Sequence, residues 1–545
     1  MRLKNSKIRN FTTLSLAALL LMVFLPVFCC VLFSGNGMNY NPEHKIEMLY
    51  GNLPLFLSVF PGLMIFTGLY ALFDRIPLNR YTVIGTVALS ALLCAAFYMV
   101  KAEISKCIAF YGGWDCGMVA NSARWLAQGQ DMGYDDYYYI YSNNVPVTWL
   151  LYTLYRFAGS LTGYGYNPEF IWIQFQCILF AAAAFLAAMT VFLITRKIAP
   201  TLLCLLMSLL LLGLCPWQII PYTDPVTIFI PIFTVFLYAL FRYIKTKIRY
   251  VIWFLLVFLN SMGGILKATC HITLIAVAAV EILWLLSEEE SFRKKLKRLC
   301  LQLVLLACGF VTALWCRNAM YKTVHYVPDY DLQMTWSNYF YNGLNESTTG
   351  ACSGDGLAIA RAYAGYPRRF RQSVELHYAG DRILDMGTWG LLDFWLRKQV
   401  MNFNDGTFSW FQEGYFHAWD YEELTTGPLR EPLRSFYWKE GAAYLSFTTW
   451  SQGLWLFVLT GILLHGVLVI PAALRQKKET ETQCLDTVVI LIFLGIFFFV
   501  MLFEGRARYL LNYLPVFITM AVLGYGRTAR TLLRLLPRKI NHNLS

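Results

Sequence analysis

The chain has few charged residues for its length. Charged residues make up only 14% of its 545 residues, and hydrophobic residues make up 57%, whereas soluble domains carry about 25% charged residues. This composition excludes an ordinary soluble domain and is typical of a chain that crosses a membrane many times. The sequence therefore predicts an all-α integral membrane protein.

Recognisable metal-binding patterns are also missing. None of the 14 cysteines forms a Cys-x-x-Cys pair, so we predict no metal site and no certain cofactor; a divalent metal stays open but is not favoured. Most cysteines lie in apolar runs, where a small buried side chain is the expected role. Cys107, Cys116 and Cys352 fall outside these runs, and a disulfide among them stays open.

Apolar runs long enough to span a bilayer predict about 12 transmembrane helices. The first run, residues 11–33, follows a basic N-terminus; it is longer than the core of a signal peptide and lacks a clear cleavage site. The others lie near residues 52–73, 82–100, 169–194, 200–216, 225–244, 249–265, 268–286, 299–318, 452–473, 484–503 and 508–526. Heptads, internal repeats and low-complexity segments are absent.

The basic residues behind the net charge of +12 are divided unequally between the two predicted sides of the membrane. Counting from a cytoplasmic N-terminus, Lys and Arg collect in the short cytoplasmic segments and are rare in the short outer loops, as the positive-inside rule requires. The basic charge thus marks orientation, which argues against nucleic acid as a partner. We expect a multi-pass cell-membrane protein with both termini cytoplasmic. The basic C-terminal tail, 527–545, is expected to rest on anionic lipid.

Four regions follow from this topology. Residues 1–81 hold two N-terminal transmembrane helices, and residues 82–318 form the central module with a first outer loop at 101–168. Residues 319–451 form a large outer loop, and residues 452–545 hold the last helices and the tail. Both long loops contain a short amphipathic segment, at 147–158 and 391–401, which we interpret as a helix lying in the membrane interface.

Ionisable residues gather at the outer ends of several predicted helices. Ionisable groups at membrane depth are costly and tend to mark function. Lysine and arginine suit a phosphate, and a carboxylate suits a general base. The candidate catalytic residue is Asp115; the candidate substrate-binding residues are Asp224, Lys267, Glu504, Arg506, Arg508 and the interfacial Tyr139.

Structural roles stay open for the same residues. Asp115 and Asp224 are also placed to cap helices, and Lys267 to extend its amine to lipid head groups. Arg506 and Arg508 are placed to pair with Glu504 or with lipid phosphates. For His271, in an apolar run, we expect a core role.

Several segments resemble those of the polytopic GT-C glycosyltransferases. The sequences GGWDCGMV (112–119) and YSNNVPVTWLLYTLYRFAG (141–159) are similar to the first outer loop of the protein O-mannosyltransferase and aminoarabinose-transferase branch, the family 39-like enzymes. The segments PYTDP, GILKATC, MTWSNYFYNGLN and EGRARYLL look like those of bacterial members. The resemblance covers roughly residues 82–526.

The resemblance implies a seven-span module, formed here by the third to ninth spans, and a role for each matching residue. Asp115 matches the early acid that activates the acceptor, and Lys267, Arg506 and Arg508 match basic positions that hold the lipid phosphate. The chain departs from the family pattern because Cys116 follows Asp115 where an Asp-Glu pair has Glu. Two spans precede the module and three follow it.

The expected function is transfer of a sugar from a polyprenyl-phosphate carrier to an extracytoplasmic glycan, lipid or protein, with inversion. The expected partners are therefore the donor lipid, membrane lipid and the acceptor. Two alternatives stay open. One is a transporter or flippase of a lipid-linked glycan, although paired halves are not evident. The other is a glycan polymerase with a pyrophosphate-linked donor.

Overall fold

A computed structural model describes residues 2–34, 46–162, 168–410, 418–420, 427–475 and 481–535. The first half contains helices α1 to α11 and strand β1, bounded by Arg2–Phe33, Asn52–Leu57, Val59–Phe73, Arg80–Ile108, Tyr111–Gly112 (β1), Trp114–Ala127 (α5), Asp135–Ile140, Val145–Thr162, Pro168–Thr195, Ile198–Leu214, Thr223–Val226 and Ile230–Tyr243. The second half contains α12 to α21 and β2, bounded by Ile248–Leu266, His271–Ser287, Phe292–Thr323, Trp336–Gly343, Gly354–Ala362, Arg368–Phe403 (α17), Ala418–Asp420 (β2), Arg430–Tyr437, Tyr444–Arg475, Glu481–Leu502 and Leu514–Leu535.

The predicted all-α polytopic architecture is confirmed. In the described ranges, eleven helical segments are long and apolar enough to cross a membrane. Helix α9 is a shorter apolar helix of 17 residues, which spans about 26 Å at 1.5 Å per residue. All twelve predicted runs therefore coincide with helices, because a long uncharged apolar segment can satisfy its backbone in a bilayer only as a helix.

Helix α21 lies at the centre of the bundle. Its candidate span is 94% buried, whereas the spans of α4 and α14 are each 17% buried. It packs against α3, α8, α9 and α19, and α1 packs against α19 and α20. The two N-terminal spans thus join the C-terminal ones in a single bundle, while α4 and α14 turn apolar side chains outward, as lipid-facing helices do.

Two glycines let α19 and α21 approach closely. A Cβ added at Gly524 would lie 2.2 Å from the Gly461 carbonyl oxygen and 2.7 Å from the His465 amide nitrogen, both backbone atoms. Small residues at such crossings allow the close packing that associates membrane helices.

Replacing Gly524 by Ala should therefore separate α19 from α21 and destabilise the protein by about 1–3 kcal/mol, the usual cost of overpacking. The thermal midpoint of the purified protein in detergent measures this effect. The matched control is Gly68→Ala in α3, where an added Cβ meets nothing within 4 Å. Equal midpoints for both variants would contradict the close-packing interpretation.

The two long loops meet at one end of the bundle, here called the site end. The segment predicted at 147–158 is helix α7, which packs against α5 and α8. The segment predicted at 391–401 belongs to the longer helix α17, which is broken at Gly387, where φ is 62°. Strand β1 pairs antiparallel with β2, and the Met334 amide donates to the Ile140 carbonyl oxygen at 2.9 Å. Both contacts join the first loop to the second.

No disulfide joins Cys107 or Cys116 to another cysteine; both thiols are buried, and that of Cys116 donates to the Gly113 carbonyl oxygen at 3.0 Å. Helix α21 continues the last span to Leu535. The remainder of the tail predicted to rest on lipid, 536–545, lies outside the described residues.

Candidate functional site

Asp115 lies in the first turn of α5, where the helix dipole favours a carboxylate. The preceding residue, Trp114, has a φ of 48°, a left-handed conformation that costs a bulky residue about 1–3 kcal/mol and is found preferentially at functional sites. Its side chain is 64% exposed, so burial of the indole does not explain this conformation. The turn holds Asp115 beside β1, at the junction of the two loops.

Two tyrosines surround the Asp115 carboxylate. The Tyr222 hydroxyl donates to Asp115 Oδ2 at 3.1 Å. Burial and the neighbouring Asp115 raise the pKa of Tyr222 well above its ordinary value, and burial and Asp115 do the same for Tyr137. Asn144 Nδ2 donates to the Tyr137 hydroxyl at 2.6 Å. Both phenols therefore stay protonated near neutral pH, and Tyr222 orients the carboxylate as its hydrogen-bond donor.

Asp224 binds two cations at the site end. Its Oδ1 pairs with Lys267 Nζ, and its Oδ2 lies 3.5 Å from Arg508 Nε. Asp224 is 2% exposed and Lys267 8%, so each charge is stable there only because the other compensates it. Asp224 is not the N-cap of its helix, a position held by Tyr222. The carboxylate instead positions the two cations.

Aromatic rings form the walls around these cations. The Arg508 guanidinium carbon lies 5.3 Å from the ring centre of Tyr222, 5.8 Å from that of Trp217 and 5.9 Å from that of Tyr509. Lys267 Nζ lies 4.7 Å from the ring centre of Tyr509. Cation–π contacts of this kind stabilise a partly desolvated cation. Tyr222 thus contacts Asp115 through its hydroxyl and Arg508 through its ring, and so links the two halves of the site.

The turn that carries Glu504 and Arg506 completes the cluster. The Tyr509 hydroxyl donates to Glu504 Oε1 at 3.1 Å. Arg506 occupies the N-cap position of the 3₁₀ helix Ala507–Tyr513, and its carbonyl oxygen accepts from the Tyr509 amide at 2.9 Å. The second loop holds this turn in place, since the Glu504 amide donates to the Tyr339 carbonyl oxygen at 2.8 Å. Glu504 and Arg506 therefore reach the same site through Tyr509.

A strained segment of the second loop also supports Arg508. Phe408 and Ser409 both have positive φ, 56° and 64°, and the Asp405 carboxylate accepts from the Ser409 amide at 2.6 Å. The Arg508 amide donates to Ser409 Oγ at 3.3 Å, and Trp217 Nε1 donates to the Phe408 carbonyl oxygen at 3.0 Å. This segment fixes the backbone of Arg508 and one of its aromatic walls.

Lys398 of α17 connects the second loop to the turn that carries Glu504. Its Nζ donates to the carbonyl oxygens of Gly343 and Phe503, both at 2.6 Å. Burial lowers the pKa of Lys398 from 10.5 to about 7, and the nearby Glu504 opposes that shift. Lys398 thus joins α15 to the residue immediately before Glu504.

The free energy of unfolding should rise as the pH increases above about 7, because of Lys398. In the folded protein Lys398 loses its proton near that pH, whereas in the unfolded chain it keeps its proton up to about 10.5. The thermal midpoint between about pH 6.5 and pH 9.5 measures this slope. Lys398→Met should flatten the slope, and Lys322→Met, at an exposed lysine, should leave it unchanged. Parallel curves for wild type and Lys398→Met would refute the assignment.

A cavity of about 280 Å³ adjoins the cluster between α12, α13 and α14. It includes Gly264, three residues before Lys267, and Asn143, next to Asn144 of the Asp115 surroundings. Its lining combines apolar side chains, Ile265, Phe310, Ala313 and Leu314, with the polar side chains of Asn143, His271, Arg317 and Gln333. His271, expected in the core, lines this cavity instead.

Six of the seven predicted site residues form one network of contacts. Tyr139 is the seventh; its ring packs 6.4 Å from that of Tyr326, and Tyr137 is the tyrosine beside Asp115. Tyr222, Tyr509, Ser409 and Lys398 were not predicted. Tyr222 lies two residues before Asp224 in PYTDP and Tyr509 directly follows Arg508 in EGRARYLL, so proximity to a candidate residue was a usable signal for both. Ser409 and Lys398 had no such signal. In the described part of the chain, no group of three or more His, Cys, Asp or Glu side chains is arranged to hold a metal.

Comparison with known proteins identifies one family over most of the chain. The chain belongs to the family described as conserved hypothetical integral membrane protein, whose model matches residues 10–529. No curated protein and no solved structure matches the chain. The family agrees with the polytopic membrane fold, and the chemistry has to be argued from the site itself.

Proposed function

We propose that this protein is a GT-C-type glycosyltransferase that moves a sugar from a polyprenyl-phosphate carrier to an acceptor hydroxyl at the membrane surface. The observation that carries the proposal is the Tyr222 bridge, which places a carboxylate on one side and an arginine on the other. A base and a phosphate-binding cation are the two groups that this reaction needs at one place. The positive-inside pattern supports an extracytoplasmic site.

The reaction is a single displacement. The acceptor oxygen attacks the anomeric carbon, and Asp115 takes the hydroxyl proton. The bond between the anomeric carbon and the phosphate oxygen breaks, and the carrier phosphate leaves with the electron pair. Attack opposite the leaving group inverts the anomeric centre.

The cations have different roles in this mechanism. The Lys267 charge is compensated by Asp224 in direct contact, whereas Arg508 meets the same carboxylate at the longer distance of 3.5 Å. Arg508 is therefore the cation best placed to turn toward the donor phosphate, with Arg506 beside it on the same turn. Lys267 and Asp224 hold the geometry of the site, and the arginines supply the positive field that stabilises the departing phosphate.

The adjoining cavity suits the carrier lipid. Its apolar lining residues lie on the spanning helices α12 and α14, where a prenyl chain would meet hydrocarbon surface, and its lining residues Asn143 and Gln333 belong to the two loops that meet at the site end. A lipid donor would thus keep its chain within the bilayer while its phosphate reaches the arginines.

Replacing Arg506 or Arg508 by Gln should weaken binding of the donor by about 10- to 100-fold, because a hydrogen bond to a charged group contributes about 1.5–3 kcal/mol. Equilibrium binding of a labelled polyprenyl-phosphate sugar to the purified protein measures the affinity. Arg361→Gln, in the second loop outside the contacts of the site, is the control. Unchanged donor affinity in both site variants would argue against a phosphate role.

Incubating the purified protein with that labelled donor and candidate acceptors tests the reaction class. Release of free carrier phosphate with sugar on the acceptor supports the transferase. In proteoliposomes, transbilayer movement of intact donor without cleavage would instead identify a transporter. Turnover of a pyrophosphate-linked donor but not of the monophosphate would identify the polymerase alternative.

A further inference from the structure

A second polar cavity lies at the opposite end of the bundle, remote from the Asp115 cluster. It has a volume of about 120 Å³ and is lined by the ends of α3, α8, α9, α20 and α21. That volume corresponds to about four water molecules. Three of its lining residues are basic: Lys197, Arg527 and Arg530. By the positive-inside pattern this end faces the cytoplasm.

The cations are only partly compensated. Lys197 Nζ pairs with Asp74 Oδ1 at 2.9 Å, and Arg527 pairs with Asp486 and contacts His465 Nδ1 at 2.8 Å. The hydrogen bond that Arg530 makes within the described ranges runs from its Nε to the Gly526 carbonyl oxygen at 3.1 Å. Among the side chains that the structure describes here, three cations meet two carboxylates, which leaves a net positive charge.

Tyr70 provides an independent indication of a ligand. Its side chain is 1% exposed and lines the cavity, yet its hydroxyl proton has no hydrogen-bond acceptor among the described residues. A buried hydroxyl without an acceptor costs about 1–3 kcal/mol. An anionic oxygen in the cavity would accept this hydrogen bond and would be attracted by Lys197 and Arg530.

The remaining walls suit a lipid. Ile194, Val522 and Leu523 lie beside the cations, so the cavity combines a cationic part with an apolar part at the membrane boundary. Basic pockets between transmembrane helices on the cytoplasmic side are typical sites for anionic lipid head groups. A freely soluble phosphate would not need the apolar wall.

We propose that this cavity binds the phosphate of an anionic phospholipid from the cytoplasmic leaflet, with Lys197, Arg530 and the Tyr70 hydroxyl as ligands. Such a lipid would join α3, α9 and α21 at their cytoplasmic ends. The proposal is independent of the sugar-transfer reaction, because none of these residues belongs to the Asp115 cluster.

Native mass spectrometry and thermal unfolding of the full-length protein in detergent test the proposal, with phosphatidylglycerol, phosphatidylcholine and inorganic phosphate as probes. Phosphatidylglycerol should bind wild type at least tenfold more tightly than phosphatidylcholine and should raise its thermal midpoint. The double variant Lys197→Gln/Arg530→Gln should lose this preference at least tenfold. Lys294→Gln/Lys297→Gln removes the same charge from exposed positions on α14 and should keep the preference.

A second variant separates lipid binding from folding. A Cβ at Gly526 would lie 3.7 Å from Tyr70 Cε2 and 4.0 Å from Pro200 Cβ, so Gly526→Val fills the cavity with no change of charge. It should fold and lose the lipid-induced rise in thermal midpoint. Retention of that rise in Gly526→Val or in the double variant would overturn the proposal. An equal rise with inorganic phosphate alone would overturn the assignment to a lipid.

Discussion

Asp115→Asn should lower sugar transfer by at least about 100-fold, since a general base contributes typically 10²–10⁴ to the rate. Asparagine keeps the size of the side chain and still accepts the hydrogen bond from Tyr222, so folding and donor affinity should stay near wild type. Transfer to acceptor by the purified variant, with labelled polyprenyl-phosphate sugar, is the measurement.

The control for Asp115→Asn is Asp135→Asn, which removes an exposed carboxylate from the same loop and should keep full activity. Donor binding measured on the same preparations distinguishes loss of chemistry from loss of structure. Wild-type transfer by Asp115→Asn would remove the carboxylate from the mechanism.

Asp224→Ala should be the most destabilising single change at the site. It leaves the buried Lys267 charge uncompensated, and breaking a buried ion pair typically costs about 3–5 kcal/mol. Asp224→Asn/Lys267→Met removes both charges and should recover much of the stability, because the desolvation penalty disappears with them. The thermal midpoint in detergent measures this difference.

The transfer activity of the double variant distinguishes the structural role of the Asp224–Lys267 pair from its role in catalysis. The double variant should be well folded yet poor in transfer, since Arg508 has lost the carboxylate that positions it. Glu103→Ala removes one partner of the exposed Lys106–Glu103 pair and should change stability by less than about 1 kcal/mol. A midpoint for Asp224→Ala as high as that of Glu103→Ala would show that the buried pair contributes little.

The transmembrane architecture was predictable because it depends on a local property. An apolar run of sufficient length becomes a helix wherever it occurs, so all twelve runs could be located without knowledge of their neighbours. The site end was predictable in part for a related reason. Alternating spans bring every second turn to one end, and Asp224, Lys267 and Arg508 occupy three such turns.

The contacts within the site were not predictable from spacing. Tyr222 lies two residues before Asp224, but only the fold shows that its hydroxyl, among those of 34 tyrosines, meets Asp115. The sequence predicted Tyr139 as a site residue, whereas Tyr137 of the same run lies beside the carboxylate. Which tyrosine ring of this short helix turns toward Asp115 depends on how the helix packs, and the sequence does not show that packing. The role of Lys398 depends on two carbonyl groups from distant segments, and a carbonyl group leaves no signal in a sequence.

The Tyr222 bridge also determines when the site can first exist during biosynthesis. Asp115 and Tyr222 are made early, and Lys267 follows within the same half of the chain, but Arg508 is made about 400 residues after Asp115, roughly 20 to 80 s later at 5–20 residues per second. Until then Asp224 can bind Lys267 alone, and the carboxylate of Asp115 has no opposing arginine. The proposed sugar transfer therefore cannot begin before Arg508 has been made and helix α21, which follows it, has entered the membrane.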